Sequence, residues 1–258
     1  TGEFTKNPDI ETKDEFGLIG KQINEMSSRI SELMDSRIQD EKEKMNMEIK
    51  ILQAQINPHF LYNTLDSIKW IATMQHSTGI VKVVSALSSL LKNMAKGFNE
   101  KVTIRQELDF LENYITIEKI RYIELFDVEI TVDDPALYNA HIVKLTLQPI
   151  VENAIFHGIE PKGEDGGTID IYLNRTDEDI HIHIVDHGIG MTPDQIYILL
   201  HPHENPRNKR GLNRIGVHNI NQRIKITYGK NYGITITSEP GLYTDVLICI
   251  PYERSSSL

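Results

Sequence analysis

The chain has 258 residues, 40% of them hydrophobic and 25% charged, an ordinary globular composition with enough length for two domains that each bury a core. Its formal net charge of −10, from 27 basic and 37 acidic residues, argues against a nucleic-acid partner, because phosphate-neutralising surfaces need a basic excess. The one cysteine, Cys249, rules out an intramolecular disulfide and fits a reducing compartment; in the apolar run Val246 to Ile250 it reads as a buried strand residue.

No apolar run approaches the ~20 residues that cross a bilayer. Thr1 opens neither a signal peptide nor a native-looking start, so the chain is expected to be a soluble fragment whose leading Thr1 to Phe4 is a cloning remnant. From Asp14 onward, Ile19, Ile23, Met26, Ile30 and Leu33 alternate steps of four and three, the seam of a coiled coil. The seam loses phase across Arg37 to Lys44 and resumes at Met45, Ile49, Leu52 and Ile56, a break that changes the local winding. Pro58 then sits inside a helical pattern that continues with Leu61, Leu65, Ile68 and Ala72 in a new phase. The reading is a kinked helix that offers His59 to solvent. Met74 to Gly79 is a turn, and Val83, Leu87, Leu90 and Met94 return as a second helix. After a break at Gly97 to Lys101, Ile104, Leu108, Leu111 and Ile115 carry helix toward Arg121. Two such hairpins from two chains would make a four-helix bundle.

The second half changes period. Asp127 to Val132 alternates as a strand, His141 to His157 reads as an apolar helix, and Gly167 to Leu173 and Ile180 to Asp186 read as strands. Met191 to Asn213, rich in Pro, Asn and His, reads as a long flexible loop. Ile215 to Tyr228 is helical, and Gly233 to Ser238 with Asp245 to Ile250 close a hairpin. That order predicts an α+β sandwich, a mixed sheet with helices on one face.

Within this half, a helix ending Glu152-Asn153-Ala154 precedes a strand that runs into Asp186-His187-Gly188-Ile189-Gly190. A long loop with Gly211 and Gly216 follows, ahead of the next helix. A strand-end carboxylate can accept the adenine amino group, and glycines beside it admit backbone close to the base. A carboxamide on the neighbouring helix can ligate Mg²⁺ while the loop covers the phosphates. Taken alone, Asp186 with Gly188 and Gly190 is equally a strand-to-turn signal. His181 with His183, and His201 with His203, are imaginable metal pairs, but zinc usually takes four nitrogen or sulfur ligands and no cysteine accompanies them, so neither pair is read as a metal site.

In conjunction these stretches resemble the histidine-kinase, gyrase and heat-shock ATPase superfamily. Asn153 matches its magnesium-binding asparagine box, Asp186-x-Gly188-x-Gly190 its first glycine box, and Gly216 the end of its second; Gly241 and Thr244 resemble its last glycine-threonine element. The string Gln55-Ile56-Asn57-Pro58-His59-Phe60-Leu61-Tyr62-Asn63 is narrower and resembles the phosphoacceptor segment of LytS/YesM-type sensor histidine kinases. Glu107-Leu108 with Tyr114, Glu118 and Arg121, Gln148 to Ala154 with His157-Gly158, and Asn219-x-x-x-Arg223 agree with it. Asp14 to Gly17 looks like the end of a HAMP linker.

The resemblance implies three parts: a HAMP remnant and signalling helix over 1–35, a dimerisation and phosphotransfer hairpin over 36–125, and an ATP-binding domain over 126–258. It implies ATP and Mg²⁺ as cofactors, with Asn153 on the metal. His157, Asp186, Gly188, Gly190, Gly211, Gly216 and Thr244 would sit around the nucleotide. His59 would be the phosphoacceptor, in a homodimer that passes phosphate to a response regulator, in the cytoplasmic portion of a bacterial membrane protein anchored by segments outside this chain. Imidazoles are competent nucleophiles near neutral pH, and phosphoryl transfer mainly needs alignment and charge neutralisation. Many histidine kinases follow the histidine with an acid, whereas here Phe60 follows. Asn63, one turn along the same face, either positions water for dephosphorylating the regulator or hydrogen-bonds within the bundle. Leu212 and Arg214 stand where the second glycine box usually has glycines, and Tyr243 where one is common; Arg207, Lys209 and Arg210 either bind phosphates or solvate the loop. The rivals are a catalytically weak or dead dimeric scaffold and an ATP hydrolase of the same superfamily. The latter usually has a glutamate four residues before the asparagine, where this chain has Pro149.

Overall fold

The computed structural model describes residues 18–34, 37, 58–94, 100–123, 125–176, 178–201 and 214–253. They belong to two units, 1–61 and 62–258. In the first, residues 18–34 form helix α1, and its seam residues Ile19, Ile23, Met26 and Leu33 are exposed in the single chain. Helix α2 (Pro58–Met74) opens at Pro58, where the described residues resume. The phase break and the kink expected ahead of it lie outside them.

In the second unit, α2 runs on to a tight turn at residues 75–77 and α3 (Thr78–Met94) returns beside it. His76 takes the turn's left-handed position at φ 54°, and Tyr62 donates across the hairpin to the Leu91 carbonyl at 3.2 Å. Strand β1 (Lys101–Thr103) then leads into α4 (Ile104–Arg121). Thr103 and Gln106 form a reciprocal capping box at that junction, so two otherwise orphaned backbone N–H groups are satisfied. Ile104, Leu108, Leu111 and Ile115, spaced by four, three and four, are buried and join the same hydrophobic core as the sheet.

That core lies on one face of a five-stranded sheet ordered β2-β4-β5-β7-β6. Its strands are β2 (Phe126–Val132), β4 (Gly167–Thr176), β5 (Asp179–Asp186), β6 (Gly233–Glu239) and β7 (Tyr243–Pro251). The β2–β4 pair is parallel and the other pairs are antiparallel. Because side chains alternate along a strand, Ile180, Ile182 and Ile184 of β5 all face inward. So do the β4 partners of Ile182 and Ile184, Leu173 and Ile171, and the β7 partners of all three, Ile250, Ile248 and Val246. Val217, Ile220 and Ile224 of α7 (Arg214–Tyr228) cover them at helical spacing.

Three expectations need correction. The segment 141–157 is not one helix. β3 (His141–Val143) pairs with β1, and α5 (Gln148–Asn153) starts only after a turn and continues as a π-helical turn, Ala154–Ile159. The cause is Glu107, whose buried carboxylate accepts N–H groups from Leu145, Thr146 and Leu147 at 2.7 to 3.0 Å and fixes the helix start there. The stretch read as loop from Met191 contains α6 (Pro193–Leu200), capped by Thr192 and Gln195 with proline in its first turn. Cys249 is half-buried, not buried: it faces away from the core that its neighbours Ile248 and Ile250 enter.

Candidate nucleotide site and phosphoacceptor helix

The site is built around the inner end of β5. Asp186 is the last inward-facing residue of that strand, only 5% exposed, and accepts an N–H from Gly188 at 3.1 Å. Across the ladder its register partner is Thr244, also buried, whose hydroxyl lies 3.1 Å from Ser238 Oγ. Burial raises the Asp186 carboxyl to about 6, against the opposing pull of the Gly188 N–H, His187 and Thr244.

Glycine is forced at three points here, and each reason is a close approach. A methyl on Gly158 would lie 2.4 Å from Asp186 Oδ1, and one on Gly188 would lie 2.3 Å from the Gly158 backbone. Gly190 has φ +65° and would meet the Glu239 carbonyl. Ile189 N–H donates to the Gly158 carbonyl at 2.9 Å, and Gly241 N–H to the Ile189 carbonyl at 2.6 Å. The π-helical turn, the β5 exit and the β6–β7 turn are thereby tied together around one carboxylate. π-Helical turns often mark functional sites, because the extra residue re-aims neighbouring side chains.

These elements enclose a cavity of about 500 Å³. Asn153, His157, Asp186, Gly190 and Thr244 line it; Gly188 lies behind Asp186 as its backbone donor. Gly216 stands in the first turn of α7 with room for a methyl, its nearest neighbour Pro149 Cβ lying 3.9 Å from that position. Gly211 falls outside the described residues, as do Leu212 and the basic residues 207, 209 and 210. Sequence reasoning named Gly158 only within a resemblance and missed the apolar wall, which includes Ile150, Ile189, Met191, Leu199 and Val217. Leu199 and Gln195 reach the cavity from α6 at helical spacing of four. A largely apolar chamber with one buried carboxylate suits a base carrying an amino group. Asn153, on the cavity wall, offers a carboxamide oxygen of the kind that could hold a hard cation such as Mg²⁺.

Two distant helices hold α5 in place. Glu107 of α4 grips its N-terminal turn, and the Arg223 guanidinium of α7 donates to the Lys144 carbonyl at 2.6 Å. Burial raises the Glu107 carboxyl against the opposing effect of its three N–H donors and Arg223. The sequence stretches around Glu107 and Arg223 thus meet at one turn, which their separation along the chain conceals.

His59 lies in the first turn of α2 and is exposed; Asn63, also exposed, follows one turn later. Among the described residues no helix is long and apolar enough to cross a membrane.

Residues 47–126 match the family model described as histidine kinase. Residues 139–254 match that of the histidine kinase-, DNA gyrase B- and HSP90-like ATPases. The chain is 36% identical over 240 residues to the sensor histidine kinase YesM of Bacillus subtilis, covering 93% of this chain and 39% of that protein. It is 31% identical to the sensor histidine kinase YpdA of Escherichia coli, over 92% of this chain and 41% of YpdA. To the sensor protein kinase HptS of Staphylococcus aureus it is 26% identical, over 96% of this chain and 46% of HptS. The chain therefore spans less than half the length of these relatives. Over most of its own length it belongs to the sensor histidine kinase family, with a histidine kinase region followed by a histidine kinase-, gyrase- and HSP90-like ATPase domain.

Proposed function

We propose that this chain is an ATP-dependent autokinase that phosphorylates His59 and passes the phosphoryl group to an aspartate of a response regulator. The observation that carries the reading is the buried Asp186 carboxylate, held by the Gly188 N–H and wrapped by glycine backbone at the wall of the cavity. Asp186 accepts the adenine amino group, and its buried, largely apolar surroundings limit the water that would otherwise compete. Asn153 holds Mg²⁺, which supplies charge neutralisation on the phosphates. An imidazole nitrogen of His59 attacks the γ-phosphorus, the bond to the ADP oxygen breaks, and the ring gives up its N–H proton. Asn63 positions water that hydrolyses the regulator's phosphoaspartate, releasing inorganic phosphate.

The division into a signalling helix at 1–35, a phosphotransfer hairpin at 36–125 and a catalytic domain at 126–258 is kept as part of this proposal. α4 is the shared element: it continues the helical half in sequence, and its buried face belongs to the catalytic core. The protein acts as a homodimer. Trp70, Ile71, Met74 and Ile80 on the hairpin are all at least 47% exposed, a larger apolar surface than a lone hairpin usually leaves to water. The HAMP remnant and signalling helix at 1–35 receive the signal from membrane helices outside this chain.

Incubation with Mg²⁺ and γ-labelled ATP tests the reading against His59→Ala. Acid-labile, alkali-stable label that needs His59 is the expected result. ATP binding without label points to a scaffold, and ATP hydrolysis without label to a hydrolase; either outcome overturns the autokinase.

A further inference from the structure

The outer face of the sheet carries a cluster that the kinase reading does not use. His181 of β5 and Cys249 of β7 are direct register partners, and Asp179 lies two residues before His181, so strand alternation puts all three on the same side. One ligand atom from each lies within 4.8 Å of the others, and all three side chains are half-buried. The trio is also braced. Tyr232 donates its hydroxyl to Asp179 Oδ1 at 3.2 Å, and Thr176 Oγ1 stands 3.5 Å from His181 Nδ1.

We propose that Asp179, His181 and Cys249 bind a thiophilic divalent cation of the zinc class, clamping β5 to β7 and leaving a fourth position to solvent. The donor set selects the metal. A thiolate and an imidazole favour zinc-like ions over Mg²⁺ or Ca²⁺, and three protein ligands with an open site is a common zinc arrangement. Zinc bonds of ~2.0 to 2.3 Å in a tetrahedron separate donors by roughly 3.3 to 3.8 Å. Closing the trio therefore needs side-chain movement of only about 1 Å, within rotamer adjustment. Charge fits too, since one thiolate and one carboxylate neutralise a dication. A bound cation stabilises the thiolate form of Cys249. Hydrogen-bonded partners such as Tyr232 commonly orient metal ligands.

The cluster sits at the opposite end of β5 from Asp186 and on the opposite face, roughly 20 Å along the strand at its usual rise. Its ligands can therefore be changed without touching the nucleotide site. The test titrates the metal-free chain with Co²⁺, a spectroscopic stand-in for Zn²⁺. Because Cys249 is the chain's single cysteine, any thiolate-to-cobalt absorption reports on it alone. The expected result is a band that saturates at one equivalent, is bleached by Zn²⁺, vanishes in Cys249→Ser, and needs at least tenfold more Co²⁺ in His181→Ala and in Asp179→Asn. Unaltered nucleotide binding by each variant shows that it has folded. Absence of the band in the wild type overturns the proposal, as does a band that titrates unchanged in both His181→Ala and Asp179→Asn, which would be binding to the thiol alone.

Discussion

The two faces of the sheet each carry a carboxylate close to the same point, and the chain treats them in opposite ways. Asp186, on the inner face of β5, is 5% exposed and its carboxyl is raised to about 6. Asp245, on the outer face of β7 opposite Val185, keeps a quarter of its side chain in contact with solvent and pairs with His183 Nδ1 at 3.0 Å. The inner carboxylate has glycine backbone pressed against it where the outer one has a partner side chain and water. A group held at a cost to the apo fold, with its surroundings shaped to expose it to a cavity, is a group kept for a ligand.

The largest effect expected from this contrast is steric. Gly188→Ala would drive a methyl into the Gly158 backbone at 2.3 Å, and backbone cannot rotate away as a side chain can. Overpacking of this kind typically costs about 1 to 3 kcal/mol, so thermal unfolding should shift down and nucleotide binding should be lost together. A variant that unfolds and binds like the wild type would show that the inner pocket is loosely packed.

Asp186→Asn separates function from stability. Binding of an ATP analogue, read by calorimetry, should weaken about 10- to 100-fold with loss of a charged acceptor. Stability should move the other way. A raised carboxyl means that the native state holds its proton more tightly than the unfolded chain, so the Asp186 contribution favours folding at low pH and is lost as pH rises through about 6. Above that pH the buried charge costs on the order of 3 kcal/mol. The asparagine variant should unfold at a higher temperature than the wild type at pH 8, and the gap should close near pH 4. By the same sign, wild-type nucleotide binding should weaken as pH falls through about 6, because the protonated carboxyl no longer offers a charged acceptor.

Glu107→Gln sharpens the picture of how the inner face is held. An amide keeps one oxygen but turns an NH₂ toward backbone N–H groups that now lack an acceptor, at a cost of about 1 to 3 kcal/mol. Since Glu107 positions the turn ahead of Asn153 and touches no ligand, the variant should bind Mg²⁺–ATP more weakly while the rate of label transfer at saturating ATP stays near normal.

How much of this could be read from the chain depended on whether the reason was local. The strands were legible because Ile180, Ile182 and Ile184 alternate strictly, and Asp186 with its glycines was legible because a strand end followed by Gly-x-Gly has a local meaning. The face of Cys249 was hidden because Leu247 and Cys249 are as apolar as Ile248 and Ile250, so the alternation vanishes and a single step of register decides which residue is inside. Gly158 was seen only as part of a resemblance, since its requirement is Asp186, 28 residues away in sequence. The start of α5 depended on Glu107, and no pattern within 141–157 contains that. α6 was different: Thr192-Pro193 with Gln195 is a capping signal that stood in plain view, and the polar composition around it outweighed it.

The smallest effect is predicted for the outer carboxylate. Asp245→Asn removes the charge beside His183, but both side chains are partly solvated, at 24% and 30% exposure, and water replaces much of what the pair supplies. Ion pairs in such settings contribute about 0 to 1 kcal/mol, so unfolding should shift by no more than that at neutral pH, with nucleotide binding unchanged. The comparison with Asp186→Asn is the informative one: identical chemistry on adjacent strands of one sheet should stabilise on the inner face, do almost nothing on the outer, and abolish strong binding only where the carboxylate faces the cavity. If instead Asp245→Asn proved the more damaging to nucleotide binding, the sheet would be transmitting from its open face to the site, and the division between a ligand-bearing face and a solvated one would fail.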